Sequence, residues 1–252
     1  MNIQKPHWSK GLFEIITTLF WALLIAVVFR TFLFQPFYIP SGSMLPNLWV
    51  GDYVFVSKYS YGYSRFSFPL APNWFEGRYA VFSEPQRGDI AVFRLPRDEN
   101  VDYIKRIIGL PGDQIQILAG QVYINDQPMR LDRIEDFVIG DAFGRTRSIA
   151  RYRETLDNSA SYEILKEAPL SQTDSPRVYK VPEGHYFVMG DNRDNSTDSR
   201  YSNIIGYIPE ENLIGKAEVI FFSMDTGTAL WRVWEWGNAV RWDRIWASLE
   251  DD

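Results

Sequence analysis

The chain has 252 residues, a formal net charge of −6, two histidines and no cysteine. The missing cysteine excludes a thiol nucleophile, a thiolate-held zinc, an iron–sulfur cluster and a disulfide framework. The acidic balance opposes nucleic acid, which favours a basic face, and the length suits one moderate domain plus an anchor.

The anchor comes first. Residues 15–29 carry no charge. With Gly11-Leu12-Phe13 the segment approaches the roughly 20 residues that cross a bilayer as a helix. Glu14 and Arg30 sit near its ends, where a charged head reaches water cheaply. Lys5, Lys10 and the α-amino group precede the run and only Arg30 follows closely. The positive-inside bias therefore puts residues 1–10 in the cytoplasm, the transmembrane anchor at 11–34 and an extracytoplasmic domain at 35–252. A cleaved signal sequence needs small residues soon after its apolar core, whereas Arg30-Thr31-Phe32-Leu33-Phe34-Gln35-Pro36-Phe37 is bulky throughout. A buried core helix is the remaining alternative.

Downstream the pattern is β. Residues 53–56, 90–93, 103–107, 114–118, 121–124, 178–181, 186–189 and 217–222 are short β-branched and aromatic runs separated by Gly, Pro, Asp and Asn. This rhythm predicts a mainly β fold, an antiparallel sheet or partly open barrel. Residues 122–129 read as a hairpin tip. Residues 130–173 turn polar, with Asp157-Asn158-Ser159-Ala160-Ser161 loop-like, so about 119–180 reads as an inserted β-region.

The chemistry-bearing residues fall in separate segments. Ser43 stands in Ile39-Pro40-Ser41-Gly42-Ser43-Met44-Leu45-Pro46. A serine is a poor nucleophile at neutral pH and needs a base. His7 lies across the predicted anchor, which leaves His185, in Pro182-Glu183-Gly184-His185-Tyr186; without a Gly-x-Ser-x-Gly elbow a histidine at the mouth of a strand is the plainer reading. Lys105, in Tyr103-Ile104-Lys105-Arg106-Ile107-Ile108, is the other candidate base. A free lysine has a pKa of about 10.4, and burial can bring it to about 5–6. Strand alternation gives Lys105 one face with Tyr103 and Ile107 and turns Arg106 to the other. The Arg106 guanidinium is expected to depress the lysine further, second to burial. Alone, Lys105 also fits a lysine snorkelling at a strand edge.

Residues 189–200, Met189-Gly190-Asp191-Asn192-Arg193-Asp194-Asn195-Ser196-Thr197-Asp198-Ser199-Arg200, are dense in hydrogen-bonding side chains. A calcium loop fails because Ser199 stands where a glycine is needed, sixth from Asp194. A solvated loop is possible. The alternative is a rigid network in which a hydroxyl such as Ser196 orients the lysine amine. At residues 230–252, Trp231, Trp234, Trp236, Trp242 and Trp246 interleave with Arg232, Arg241 and Arg244. That composition suits a membrane–water interface, with cations meeting anionic lipid, or ordinary cover for the β-domain.

Together the segments resemble the bacterial type I (leader) signal peptidases. Residues 40–46 resemble that family's nucleophile box and Gly51-Asp52-Tyr53 the turn that follows it. Arg87-Gly88-Asp89, Tyr103-Ile104-Lys105-Arg106 and Gly109-Leu110-Pro111-Gly112-Asp113 resemble its lysine box, and residues 190–200 its last box. The resemblance implies a membrane-bound Ser/Lys endopeptidase with Ser43 as acylated nucleophile and Lys105 as general base. Ser41 would join the Ser43 backbone N–H in an oxyanion hole, and Ser196 would orient the lysine. Asp191, Arg193, Asp198 and Arg200, with Arg106, would form a supporting network. Phe37, Ile39, Met44, Tyr103 and Ile104 would line pockets for small side chains at P1 and P3. The implied partners are signal peptides of secreted preproteins, the lipid bilayer and a protein-export channel, with no cofactor, metal or nucleic acid. Many relatives carry Thr where Asn47 stands, and several have a second span and a disulfide in the insertion. A specialised maturation protease of the same fold and a non-catalytic membrane-anchored β-domain are the alternative functions.

Overall fold

The apolar run forms one helix, α1 (Trp8–Phe32), of which residues 11–30 are exposed but for half-buried Thr17, while Thr31 is buried and Phe32 packs on Tyr63 and Phe68. The structure, a computed structural model, describes residues 8–68, 71–72, 74, 76–140, 146–167, 177–225, 227–228 and 231–249. Lys5 and His7 lie outside that set, as do residues 230 and 250–252 of the tail. Within α1 the Thr17 and Thr18 hydroxyls donate to Phe13 O and Glu14 O at 2.8 Å each. Those bonds satisfy the two hydroxyls within the helix itself. The exposure of residues 11–30 does not fit a buried core helix.

The helix is shorter at its end than the expected 34. Residues 34–38 are instead strand β1 (Phe34–Tyr38), paired antiparallel with β2 (Asp52–Ser57) from Phe34↔Ser57 to Tyr38↔Tyr53. Pro36 ends any helical continuation and is tolerated because β1 is an edge strand. Then come β3 (Ile90–Arg94), β4 (Asp102–Gly109), β5 (Gln114–Leu118), β6 (Gln121–Ile124) and β7 (Gln127–Pro128). Asn125 and Asp126, both at positive φ, make the tight turn between β6 and β7 where the hairpin tip was expected.

The inserted stretch, polar in sequence, is also strand: β8 (Arg130–Arg133), β9 (Phe137–Gly140), β10 (Thr146–Thr155) and β11 (Ser161–Lys166). The chain then returns through β12 (Tyr179–Lys180), β13 (His185–Met189), β14 (Ile208–Pro209), β15 (Leu213–Ser223) and β16 (Ala247–Ser248). The main sheet is antiparallel in the order β1-β2-β15-β3-β4-β13-β14, with β16 added to β15. Its terminal strands do not pair with each other, so the sheet remains open. Strands β12-β5-β6-β7 form a second sheet and β8 to β11 a third.

One apolar cluster under the main sheet gathers Ile39, Met44, Leu48, Val54, Ile90, Val92 and Ile220. Another joins Ile108 and Phe187 of the main sheet to Ile115, Ile124, Tyr162 and Ile164. The second cluster fixes the added sheets against β4 and β13. Those two strands, and the loops leaving them, carry the site.

Candidate active site

Ser43 sits in a single helical turn, Gly42–Met44, between β1 and β2. Two chain segments hold that turn. Ile39 N–H donates to Asp52 O at 2.9 Å on one side. On the other, Asn192 donates its backbone N–H to Ser43 O at 3.1 Å and its side-chain amide to Gly42 O at 3.0 Å. The serine is therefore placed by backbone contacts and its hydroxyl is left for chemistry.

Lys105 projects from the middle of β4, where Ala91 is its partner on β3. Its Nζ donates to Ser43 Oγ at 2.7 Å and to Ile104 O at 2.8 Å. The Tyr103 ring lies 5.5 Å away. The residue is 3% exposed. Burial lowers its pKa to about 8, against the opposing pull of Asp198 and then Asp191. Arg106 is not among the influences, contrary to the expectation from sequence. Its charge is already neutralised: Nε and Nη2 each donate to Asp191 at 2.9 Å, and Nη1 donates to Gly88 O at 2.6 Å. The guanidinium also stacks on Tyr162 at 3.8 Å.

Ser41 is exposed, with its Oγ 3.4 Å from Ser43 Oγ. Ser196 is buried beside Gly190, where a Cβ would overlap both the Ser196 hydroxyl and Ser43 O. The expected hydrogen bond from Ser196 to the lysine is not formed, and Ser196 Oγ has no partner among the described residues. The amine instead uses Ile104 O, which comes within reach on its own strand.

Buried ion pairs and hydrogen bonds run through residues 189–200. Arg200 forks onto Asp198 at 2.8 and 2.9 Å, and Asp198 also accepts the Gly190 N–H at 3.0 Å. Burial alone would raise the Asp198 pKa, but Arg200 and these bonds hold it below the usual carboxylate range. Arg193 reaches out of the loop to Glu154 of β10, which also accepts the Tyr162 hydroxyl at 2.7 Å. Each of these charges is buried, so each pair stands only because geometry and extra hydrogen bonds offset desolvation.

The pocket residues divide. Ile39 and Met44 are fully buried in one cluster, and Phe37 and Ile104 pack against it. Tyr103 belongs to the neighbouring cluster with Tyr61, Phe93 and Ile107, on the lysine's side of β4.

Comparison with known proteins gives the family. The family model described as signal peptidase, peptidase S26, matches residues 12–222. The chain belongs to that family. Signal peptidase I of Rickettsia typhi is 38% identical over 268 residues, covering 99% of this chain and 98% of that protein. Signal peptidase I of Rickettsia akari is 40% identical over 246 residues, covering 90% and 89%. A crystal structure of a signal peptidase I from Enterococcus faecalis V583 is 27% identical, with a TM-score of 0.31, over 53% of this chain and 97% of that one.

Several residues of this peptidase's site were not legible in its sequence. Asn47 donates to Asp191 Oδ2 at 2.7 Å and to Glu163 O at 2.8 Å, tying the nucleophile loop to the network and to β11. Glu154 and Tyr162 complete the Arg193 pair from strands read as an exposed insertion. A buried arginine demands a carboxylate; sequence separation hides which one. His185 sits at the far end of β13 from the loop that carries Asn192, with Nδ1 bonded to Glu183 O at 2.8 Å. It is the strand-mouth histidine, outside the Ser43 hydrogen bonds.

The tail departs from expectation in its arginines. Arg244 forks onto Asp52, with Nη2 2.6 Å from Oδ2, and Arg241 donates to Val50 O at 2.7 Å and Met224 O at 3.1 Å. Both guanidinium groups lie over Trp49. They pin the tail to β2 and do not face outward, because buried Asp52 needs their charge. Trp231, Trp234, Trp242 and Trp246 remain exposed, while Trp236 packs on Phe222.

Proposed function

We propose that this peptidase is a membrane-anchored endopeptidase that removes N-terminal signal peptides from exported preproteins with a Ser43/Lys105 dyad. The observation that supports it is the 2.7 Å contact between Lys105 Nζ and Ser43 Oγ in a buried setting. A neutral Lys105 takes the Ser43 proton as the oxygen attacks the scissile carbonyl, then gives it to the leaving amine. The Ser43 N–H and the Ser41 hydroxyl face the developing oxyanion; one such donor is worth about 3 kcal/mol. Water then hydrolyses the acyl-enzyme, again with Lys105 as base. Asp191, Arg193, Asp198, Arg200 and Arg106 stiffen the bed under the dyad. Ser196, buried beside Gly190, orients the amine during the reaction.

Phe37, Ile39, Met44, Tyr103 and Ile104 select small side chains at P1 and P3, because an apolar wall rejects bulk by overlap. An extended substrate adds along a strand, so its P2 side chain points away. In this reading α1 crosses the bacterial inner membrane with its N-terminus in the cytoplasm. Residues 35–252 then lie outside, beside the export channel, and Ser43 lies close to the membrane surface. The exposed tryptophans of residues 231–246 lie against the bilayer.

The test is direct. Detergent-solubilised full-length protein is incubated with a labelled preprotein and the products are mapped by mass spectrometry. A single cut after Ala-x-Ala that is lost in Ser43→Ala supports the reading; an uncut preprotein, or a cut that survives Ser43→Ala, contradicts it.

A further inference from the structure

A second buried lysine lies where the helix meets the domain. Val27, Arg30 and Thr31 of α1, Gln35 of β1, Lys58 after β2, the turn Phe66-Ser67-Phe68, Arg94 of β3 and Ile214 of β15 enclose a cavity of about 380 Å³. Its walls are apolar at Val27, Phe66, Phe68 and Ile214. Its charge is concentrated in Arg30, Lys58 and Arg94.

Of these cations Arg94 is ion-paired and Lys58, among the described residues, is not. Lys58 is 3% exposed, and its Nζ donates to Ser67 O at 2.7 Å. It forms no ion pair among the described residues, so donors of the ammonium group remain unused. Arg94 pairs with Asp102 at 2.7 Å, and that carboxylate is also the one that opposes the lowering of the Lys58 pKa. Burial and then Arg30 bring that pKa down to about 8, with Arg94 adding to the effect. An acidic chain has thus gathered three cations around one cavity. A site built this way is complementary to a phosphate group, which accepts several charge-assisted hydrogen bonds at once.

The location selects the source of the phosphate. The cavity is lined by the last turns of α1, whose residues 11–30 are exposed almost throughout. We propose that this cavity holds the phosphate of an anionic phospholipid headgroup, with the lipid's apolar part running along α1 from Val27. The assignment rests on the membrane-anchored reading of α1. Lys58 becomes fully charged when the anion is seated, and the headgroup locks the anchor to the catalytic domain at one height.

The experiment is a titration of the full-length protein in mild detergent with dioleoyl phosphatidylglycerol or dioleoyl phosphatidylcholine, read by native mass spectrometry. Wild-type protein is expected to retain a phosphatidylglycerol at least about tenfold more tightly than phosphatidylcholine, and Lys58→Met and Arg30→Gln are each expected to abolish that preference. Arg30 is exposed, so Arg30→Gln decides the matter if Lys58→Met does not fold, as thermal unfolding reports. Equal retention of both lipids by wild type, or an unchanged preference in Arg30→Gln, overturns the site. Inorganic phosphate binding as tightly as phosphatidylglycerol overturns the lipid source. Release of the protein from membranes by alkaline carbonate overturns the anchor and the site together; retention without lipid preference overturns the site alone.

Discussion

Arg106 and Lys105 are consecutive on β4, yet their surroundings are opposite. Arg106 meets a carboxylate, a carbonyl and an aromatic face, so nearly every donor it has is engaged. Lys105, equally buried, meets a hydroxyl, a carbonyl and, at 5.5 Å, the Tyr103 ring, but no carboxylate among the described residues. The two carboxylates close enough to favour its charge, Asp198 and Asp191, are already committed to Arg200 and Arg106. Removing water from a cation without giving it a counter-ion lowers its pKa. The network thus uses its acids on arginines, which cannot act as bases, and leaves the lysine, which can.

The largest effect should come from breaking the dyad. Ser43→Ala and Lys105→Met are each expected to reduce turnover of a preprotein by about 10³-fold or more, since members of one catalytic unit fail together. Lys105→Arg should be as inactive, because a guanidinium keeps its proton. Thermal unfolding should be unchanged or raised in Lys105→Met, which removes a buried amine; turnover near the wild-type rate by any of these variants would refute the assignment.

The saturated side should respond in the other observable. Asp191→Ala leaves Arg106 buried and unpaired, which costs about 3–5 kcal/mol. At roughly 2–4 °C per kcal/mol for a chain of this size, the midpoint should fall by about 6–20 °C. Glu154→Gln should behave similarly through Arg193. Unchanged melting in both would show that these pairs carry no structural load.

Ser196→Ala sharpens the contrast. Its hydroxyl has no partner among the described residues, so stability should change by less than about 0.5 kcal/mol, while turnover falls more mildly than for Lys105→Met. Loss as complete as that of Lys105→Met would mean that Ser196 bonds the amine during the reaction. The smallest effect lies in the tail. Replacing Trp231, Trp234, Trp242 and Trp246 together with Ser in a variant lacking residues 1–33 should weaken binding to anionic vesicles severalfold without lowering the melting point. Deleting residues 230–252 instead should unfold the domain, because Arg241 and Arg244 would leave Asp52 unpaired.

How the elements were legible follows the same physics. Strands β5 and β6 stand where alternation and flanking turns put them, and Asn125-Asp126 gave the hairpin away through its turn chemistry. Strand β1 was concealed because Phe34 continues the apolar run of α1; only pairing with β2 makes it a strand. Strands β8 to β11 were concealed by charge: β10 carries Arg147, Arg151 and Arg153 on a half-exposed sheet, so its polar face dominates the composition. Local motifs pointed to Ser43, Lys105 and the 189–200 loop, whereas Asn47, Glu154 and Tyr162 reach the network only through the tertiary fold.

The most direct test is the pH dependence of Ser43 acylation by a peptide electrophile, followed as a mass increase under single-turnover conditions. A base must be neutral to act, so the rate should be low where Lys105 is protonated, rise through an apparent pKa near 8 and level off above it. In Lys105→Met the adduct should be absent across the whole range. Acylation that persists in Lys105→Met, or a profile centred near pH 6.5 that His185→Ala abolishes, would contradict the account.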